Sequence, residues 1–407
     1  MRIDKGRLFL PVMTLIVFIM SLKGTKIERV GSLIFIGICL YSPGIWRRNF
    51  SRAKFNFVLS AAAVITAMFV YSLCNLYANA PLAVDDAALS NYSFMILAIV
   101  LCLMLSGYFD ENPRFSVDIF KCLIAIHCGA LILQLCVLLA GGKYIDLVQP
   151  FTGEASRYHA RDSVNPVFAY RPTGWYPEPS DFTGYVGCFF VGYLALCRAS
   201  ATKISLKLSL VVIFCMLATQ STAGVFQALL LSASLISLRS KWTLVWGALI
   251  AVILGIAGSA FLFDYFSSFS ARFSETSGLR QSLLDYIYIK RTGVGFLFGP
   301  GPFSMEPELW RLSTSDEIAS LNDAGLLNFL VISFGLSGWL IFGVLLALVR
   351  RDLCSILGLV MLMTSKLSYI FPPLYLGLVP LLTFARMNRQ LRFTGQLYND
   401  ANQSYQE

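Results

Sequence analysis

Nearly uncharged apolar runs recur along the whole of this 407-residue chain, and few folds can accommodate them. They fall near 8–22, 30–45, 55–76, 92–109, 119–141, 182–198, 204–219, 223–238, 242–263, 324–349, 353–371 and 372–385. A helix needs about 20 such residues to cross the ~30 Å hydrocarbon layer. Segments inside a bilayer must satisfy their own backbone polar groups, which leaves helices or barrel strands, and these runs lack a barrel's alternation. The expected fold is all-α, a polytopic membrane helical bundle of about 12 transmembrane helices. With 57% hydrophobic residues and a mean hydropathy of +0.68, no soluble domain is left over. Residues 1–407 read as a single integral membrane domain.

The net charge of +9 suggests nucleic acid until its distribution is examined. Basic residues crowd the short turns: Arg47, Arg48, Arg52 and Lys54; Arg198, Lys203 and Lys207; Arg239 and Lys241; Arg350 and Arg351; Arg386, Arg389 and Arg392. The segment 264–323 instead carries five positive against eight negative residues. That is the positive-inside asymmetry of a membrane protein, not a phosphate-backbone footprint. It predicts both termini cytoplasmic and two long loops, 142–181 and 264–323, on the outer face. Leu208–Leu238 carries no charge but lies between basic turns, so it must cross twice, with Thr219-Gln-Ser-Thr-Ala-Gly224 as the polar reversal. The basic turn Lys23–Arg29 breaks the pattern, being placed outside. The N-terminus reads as an uncleaved signal anchor, because Lys23-Gly-Thr-Lys26 follows Leu22 where a small-residue cleavage site would be needed. All ten cysteines fall in apolar spans, as buried thiols do.

The first loop concentrates the chemistry. Arg157, His159, Arg161, Arg171, Glu178 and Asp181 occupy 25 positions, interleaved with Tyr158, Tyr170, Trp175 and Tyr176. Aromatic faces suit sugar rings and also suit a membrane interface. Guanidinium forks grip phosphate oxygens, but these arginines could equally pair with Glu154, Asp162 and Asp181. Glu178, between two prolines and just ahead of a span, is the candidate general base. Its competing role is to cap the helix expected to start at Phe182, or to balance Arg171. Asp323, on the opposite rim, is the alternate carboxylate.

In the second loop Arg280, Leu283, Leu284, Ile287 and Arg291 form an amphipathic stretch expected on the membrane surface. The glycine-rich Gly293–Gly301 follows no strand and faces away from the cytoplasm. It reads as tight backbone packing and not as a nucleotide loop. Lys366 is placed at the outer end of its span, where its ammonium can meet a phosphate. His127 is expected to be a satisfied interior group. No His, Cys and carboxylate cluster has metal spacing, so neither metal nor cofactor is expected.

In this order and topology the chain resembles the bacterial O-antigen and exopolysaccharide polymerases. Carrying the likeness are Arg171, Gly174, Glu178, Pro179 and Ser180, then Ser221-Thr-Ala-Gly224. Arg280 follows ahead of Gly293-Val-Gly295 and Gly299-Pro-Gly301, and Asp323 ahead of Gly335-Leu-Ser-Gly338. The likeness covers roughly residues 90–380. The related O-antigen ligases usually carry histidine where this chain has Glu178 and again before the span holding Gly335, and here the second loop has none. The resemblance implies a metal-independent, GT-C-like glycosyltransferase of the bacterial inner membrane. It would join oligosaccharide repeat units carried on undecaprenyl pyrophosphate. Glu178 and Arg171 would be catalytic, with Arg157, Arg161, Arg280, Arg291, Lys366 and Asp323 around the substrate pyrophosphate. Its partners would be the lipid-linked oligosaccharide, membrane lipid, a chain-length regulator and a flippase, and no nucleic acid. The rival readings are a ligase acting on lipid A-core and a flippase, although a transporter should carry charges inside spans that here have none.

Overall fold

The computed structural model describes residues 5–22, 27–42, 44–45, 52–79, 85–141, 144–153, 155–158, 170–238, 281–303, 306, 308–309 and 321–394. Among these residues the chain is helical with no strand. The principal helices are α1 (Lys5–Ser21), α2 (Ile27–Tyr41), α3 (Arg52–Asn79), α4 (Asp85–Glu111), α5 (Pro113–Gly141), α6 (Pro179–Ala199), α7 (Leu206–Ala218), α8 (Thr222–Ser237), α9 (Leu326–Phe334), α10 (Ser337–Val349), α11 (Leu353–Thr364) and α12 (Pro373–Thr394). Residues Ala88–Glu111, α5 and α6 are long and apolar enough to cross a membrane, and shorter apolar helices stand beside them. The protein is membrane-embedded. The expected span 242–263 lies outside the described residues, as do Arg161, Arg280, His159 and much of the second loop.

The centre is α6. Every residue from Pro179 to Cys197 is buried, which is the signature of a helix apolar on all sides and enclosed by others. Helix α12 packs along it, and at Gly377 the approach is so close that a Cβ would lie 2.5 Å from the Cys188 carbonyl oxygen. Small residues at such contacts let helix backbones meet where no hydrophobic drive operates between helices in lipid. Helices α5, α8 and α11 close further sides of α6. Outward, Leu133, Leu210, Phe214, Leu229, Leu340 and Val344 are exposed, apolar and suited to lipid. Hydroxyls in this setting turn back on their own helix: Ser209, Ser232 and Ser234 donate to carbonyls four residues earlier.

Two ion pairs staple the end where basic residues gather. Arg198 of α6 grips both oxygens of Asp352 at 2.5 and 2.6 Å, and Asp352 also caps α11 by accepting from the Ser355 backbone N–H at 2.7 Å. Burial opposes the charge on Asp352, but Arg198 and Ser355 outweigh it and hold its pKa below the usual value. Arg386 of α12 pairs with Asp110 of α4.

Some expectations needed revision. The run 324–349 is two helices broken at Gly335-Leu336. Helix α11 stops at Thr364, and the chain turns through Ser365–Pro372 before α12 begins at Pro373. The reversal between α7 and α8 falls at Thr219–Ser221, as the charge argument required. His127 is only partly satisfied: Nε2 meets Ser21 Oγ at 2.9 Å and the ring stacks on Tyr176, but Nδ1 has no hydrogen-bond partner.

Candidate functional site

The first loop is fastened to the bundle by one buried side chain, Gln134 of α5. Its Oε1 accepts from the backbone N–H groups of Thr173 at 3.1 Å and Gly174 at 2.7 Å. Its Nε2 donates to the carbonyls of Ile145 at 2.9 Å and Gly174 at 3.3 Å. A single amide thereby ties both ends of the loop to one helix. The start of the loop is closed by Asp146, which accepts from Val148, Gln149 and Ser156 backbone N–H groups at 2.9, 3.1 and 2.7 Å. Burial alone would raise its pKa, and these three donors instead hold it below the usual carboxylate value. Tyr144, whose hydroxyl meets Thr173 Oγ1 at 2.8 Å, has its pKa raised mainly by burial.

Two backbone bonds then lay the outgoing strand of the loop against the returning one. Arg157 N–H donates to Pro177 O, and Arg171 N–H to Tyr158 O, each at 2.7 Å. They place Arg157 beside Glu178. Tyr144, Tyr158 and Tyr170 form a ladder of near-parallel rings, with centroids 3.8 and 6.1 Å apart. Arg171 reaches across to the α7–α8 reversal, its Nε donating to Thr219 O at 3.4 Å. Gln220 returns the contact by donating to Tyr170 O. The arginine segment and the Ser221-Thr-Ala-Gly224 segment, far apart in sequence, are therefore neighbours.

Glu178 is where the site converges. It occupies the N-cap position of α6, which begins at Pro179 and not at Phe182, and its side chain makes no capping bond. The carboxylate is instead held between two cations. Arg157 Nη1 lies 2.5 Å from Oε1, and Lys366 Nζ lies 2.8 Å from Oε2. The Arg157 side chain is 62% exposed, whereas that of Lys366 is 10% exposed. One cation is thus an exposed rim group and the other a buried wall. Ser180 Oγ adds a bond of 3.3 Å to Oε2.

The second loop reaches this centre through α9. The expected membrane-surface stretch is packed against protein: Leu283 and Ile287 are buried with Leu309, Val331 and Ile332. Arg291, expected at a pyrophosphate, is instead a clamp. Its side chain is 2% exposed and its donors go to Glu306 and to the Val331 and Ile332 carbonyls, each at about 3 Å. These carbonyls belong to the last turn of α9, where helix carbonyls lack intrahelical donors. Immediately beyond, Gly299 and Gly335 meet backbone to backbone. A Cβ on either would overlap main-chain atoms of the other segment, and both have positive φ, 65° and 59°. The two glycine motifs are two halves of one contact. At its other end α9 touches the Lys366 turn, with Leu326 N–H donating to Ser365 O at 2.8 Å, and back near the glycine contact Tyr369 donates to Ser333 Oγ at 2.6 Å. Asp323 lies in the Leu321–Ala324 turn just before α9, and its side chain is outside the described residues.

Arg157, Arg171, Glu178 and Lys366 are thus gathered at one end of the bundle, and Arg291 is committed to α9. Sequence reasoning missed Gln134. The available signal was a lone amide near the end of an apolar span, which in a membrane protein asks for a partner. It also missed a buried carboxylate, Glu28, and offered Asp181 only as an ion-pair partner, although each is 1% exposed. Among the described residues no group of three or more His, Cys, Asp and Glu could hold a metal ion. Compared with protein-family models, with curated proteins and with solved structures, the chain matches none of them, and the reading of its site rests on its own residues.

Proposed function

We propose that this chain is a membrane-embedded glycosyltransferase with twelve crossings and both termini cytoplasmic, polymerising lipid-linked oligosaccharide repeat units at the outer face of a bacterial inner membrane. The observation that carries the reading is Glu178, a carboxylate at the head of the central helix, held between one exposed and one buried cation. A structural ion pair needs one partner, and this carboxylate has two, one from its own loop and one 188 positions away.

The arrangement suits displacement of a pyrophosphate. Arg157 and Lys366 both rest on Glu178 and balance its charge. A bound pyrophosphate draws Arg157, Arg171 and Lys366 onto its oxygens, since a phosphate offers them more charge than one carboxylate. Glu178, losing its counter-charges, becomes a better proton acceptor at the moment substrate is in place. The incoming unit's hydroxyl oxygen then attacks the anomeric carbon of the growing chain and its proton passes to Glu178. The bond from that carbon to the pyrophosphate oxygen breaks, and the lipid pyrophosphate leaves with its charge on the cations. The tyrosine ladder beside Arg157 offers ring faces to sugars.

The test is polymer length on a gel in a host lacking its own copy of the chain. Glu178→Gln keeps the shape but cannot accept a proton, a loss of about 10²–10⁴-fold in rate, so polymer should collapse to single repeat units while the protein still reaches the membrane. Glu178→Asp retracts the carboxylate and should be nearly as damaging. Full-length polymer from both variants would exclude Glu178 from catalysis and move the base to Asp323.

A further inference from the structure

At the other end of the bundle, remote from Glu178, the inner ends of α2 and α4 and the starts of α1 and α5 enclose a half-open cavity of about 510 Å³. Its walls are apolar, formed by Phe9, Ile38, Ile45 and Phe115, with Phe9 and Phe115 stacked at 5.8 Å. Its floor is polar. Tyr108 and Glu111 both line it, and the Tyr108 hydroxyl and Glu111 Oε2 are buried with no hydrogen-bond partner. Tyr108 itself is only 3% exposed. A buried carboxylate oxygen and a buried phenol left unbonded each cost free energy, which a ligand would recover.

The contrast with the neighbouring residue sharpens this. Asp110, one position earlier, is taken by Arg386. Glu111 instead lines the cavity, its carboxylate lying so close to Gly44 that a Cβ there would collide with it. We propose that this cavity binds the primary ammonium headgroup of an aminophospholipid. An ammonium has three N–H donors and no acceptor, matching Glu111 Oε2 and the Tyr108 hydroxyl, with Ser42 and Asn112 beside them. The apolar walls continue towards the lipid-facing surfaces of α1 and α2, where Val12, Leu15 and Leu40 are exposed, and there they would receive the glycerol and acyl portions. Headgroup and chain are thus accommodated together, which favours a membrane lipid over a soluble amine. A trimethylated headgroup has the same charge but no donor, so it should be rejected.

The test uses the full-length protein in nanodiscs of phosphatidylglycerol containing equal phosphatidylethanolamine and phosphatidylcholine, with retained lipid counted by native mass spectrometry. Wild type should retain the ethanolamine lipid over the choline lipid by about tenfold, the loss expected from one missing charge-assisted hydrogen bond. Glu111→Gln should bring that ratio close to one. Ile38→Trp, which fills the cavity without touching charge, should remove the retained lipid altogether and covers the case in which Glu111→Gln does not fold. Ethanolamine phosphate at millimolar concentration should fail to displace the lipid. Equal retention of the two lipids by wild type, a preference that survives both variants, or full displacement by the soluble headgroup would each overturn the assignment.

Discussion

Replacing Gln134 by leucine isolates the energetics of the first loop. The side chain is 1% exposed, and the leucine is close in size, so the substitution removes four hydrogen bonds with little change in volume. Two of them leave a buried N–H, of Thr173 and of Gly174, without its acceptor, and each orphaned donor costs roughly 1–3 kcal/mol. The carbonyls of Ile145 and Gly174 lose a donor, which is tolerated better than an orphaned N–H. Added apolar contact from leucine returns about 1 kcal/mol. The net is a loss of about 1–5 kcal/mol in docking the segment that carries Arg171 and Glu178. At about 3 kcal/mol the undocked loop becomes more populated by over 10²-fold. Hydrogen exchange should report this directly: the Thr173 and Gly174 amides should exchange about 10²-fold faster, while α6 amides are unchanged. Polymer should shorten in parallel. Gln134→Glu keeps the acceptor for both N–H groups and should exchange more slowly than the leucine variant. Wild-type exchange rates at Thr173 and Gly174 in Gln134→Leu would refute the reasoning outright, whatever the effect on polymer.

Further outcomes follow from the same geometry. Arg171→Lys should shorten polymer nearly as much as Arg171→Ala, since an ammonium cannot span two phosphate oxygens. Full-length polymer from the lysine variant would reduce Arg171 to a generic charge. Gly335→Ala places a Cβ against the Phe296–Gly299 backbone at positive φ. It should lower the melting temperature and expose the second loop to protease, and unchanged proteolysis would mean the contact is dispensable. Asp146 has a folded pKa below its unfolded value, so its stabilisation is complete above about pH 4 and fades as pH falls through the folded value. Asp146→Asn should therefore be less stable than wild type at pH 7, with the gap closing on acidification, and a gap that widens in acid would contradict the sign. Reporter fusions within 142–181 and 264–323 should read outside and those at 47–54 and 386–407 inside, and a cytoplasmic signal from either loop would remove the proposed site.

Hydropathy in the sequence located most of the described helices, because each apolar segment is limited in length and polarity by itself, but it did not foresee the breaks at Gly335-Leu336 and Ser365. The split of Leu208–Leu238 into α7 and α8 came from charge parity, a constraint any reader of the sequence can apply. The residues that gather at one end of the bundle were also legible, as Arg157, Arg171, Glu178 and Lys366 stand out as charges beside apolar runs. Their pairing was not. Lys366 meets Glu178 across 188 positions, and such a contact depends on how α6, α11 and α12 pack, which local periodicity does not encode. The same holds for Arg291, which looks in sequence like any loop arginine and proves to be a clamp on α9. Gly299 and Gly335 show the division most plainly. Each glycine announces a special backbone by itself, yet only the folded chain shows that they are special for one another, because a Cβ on either would overlap the other's main chain.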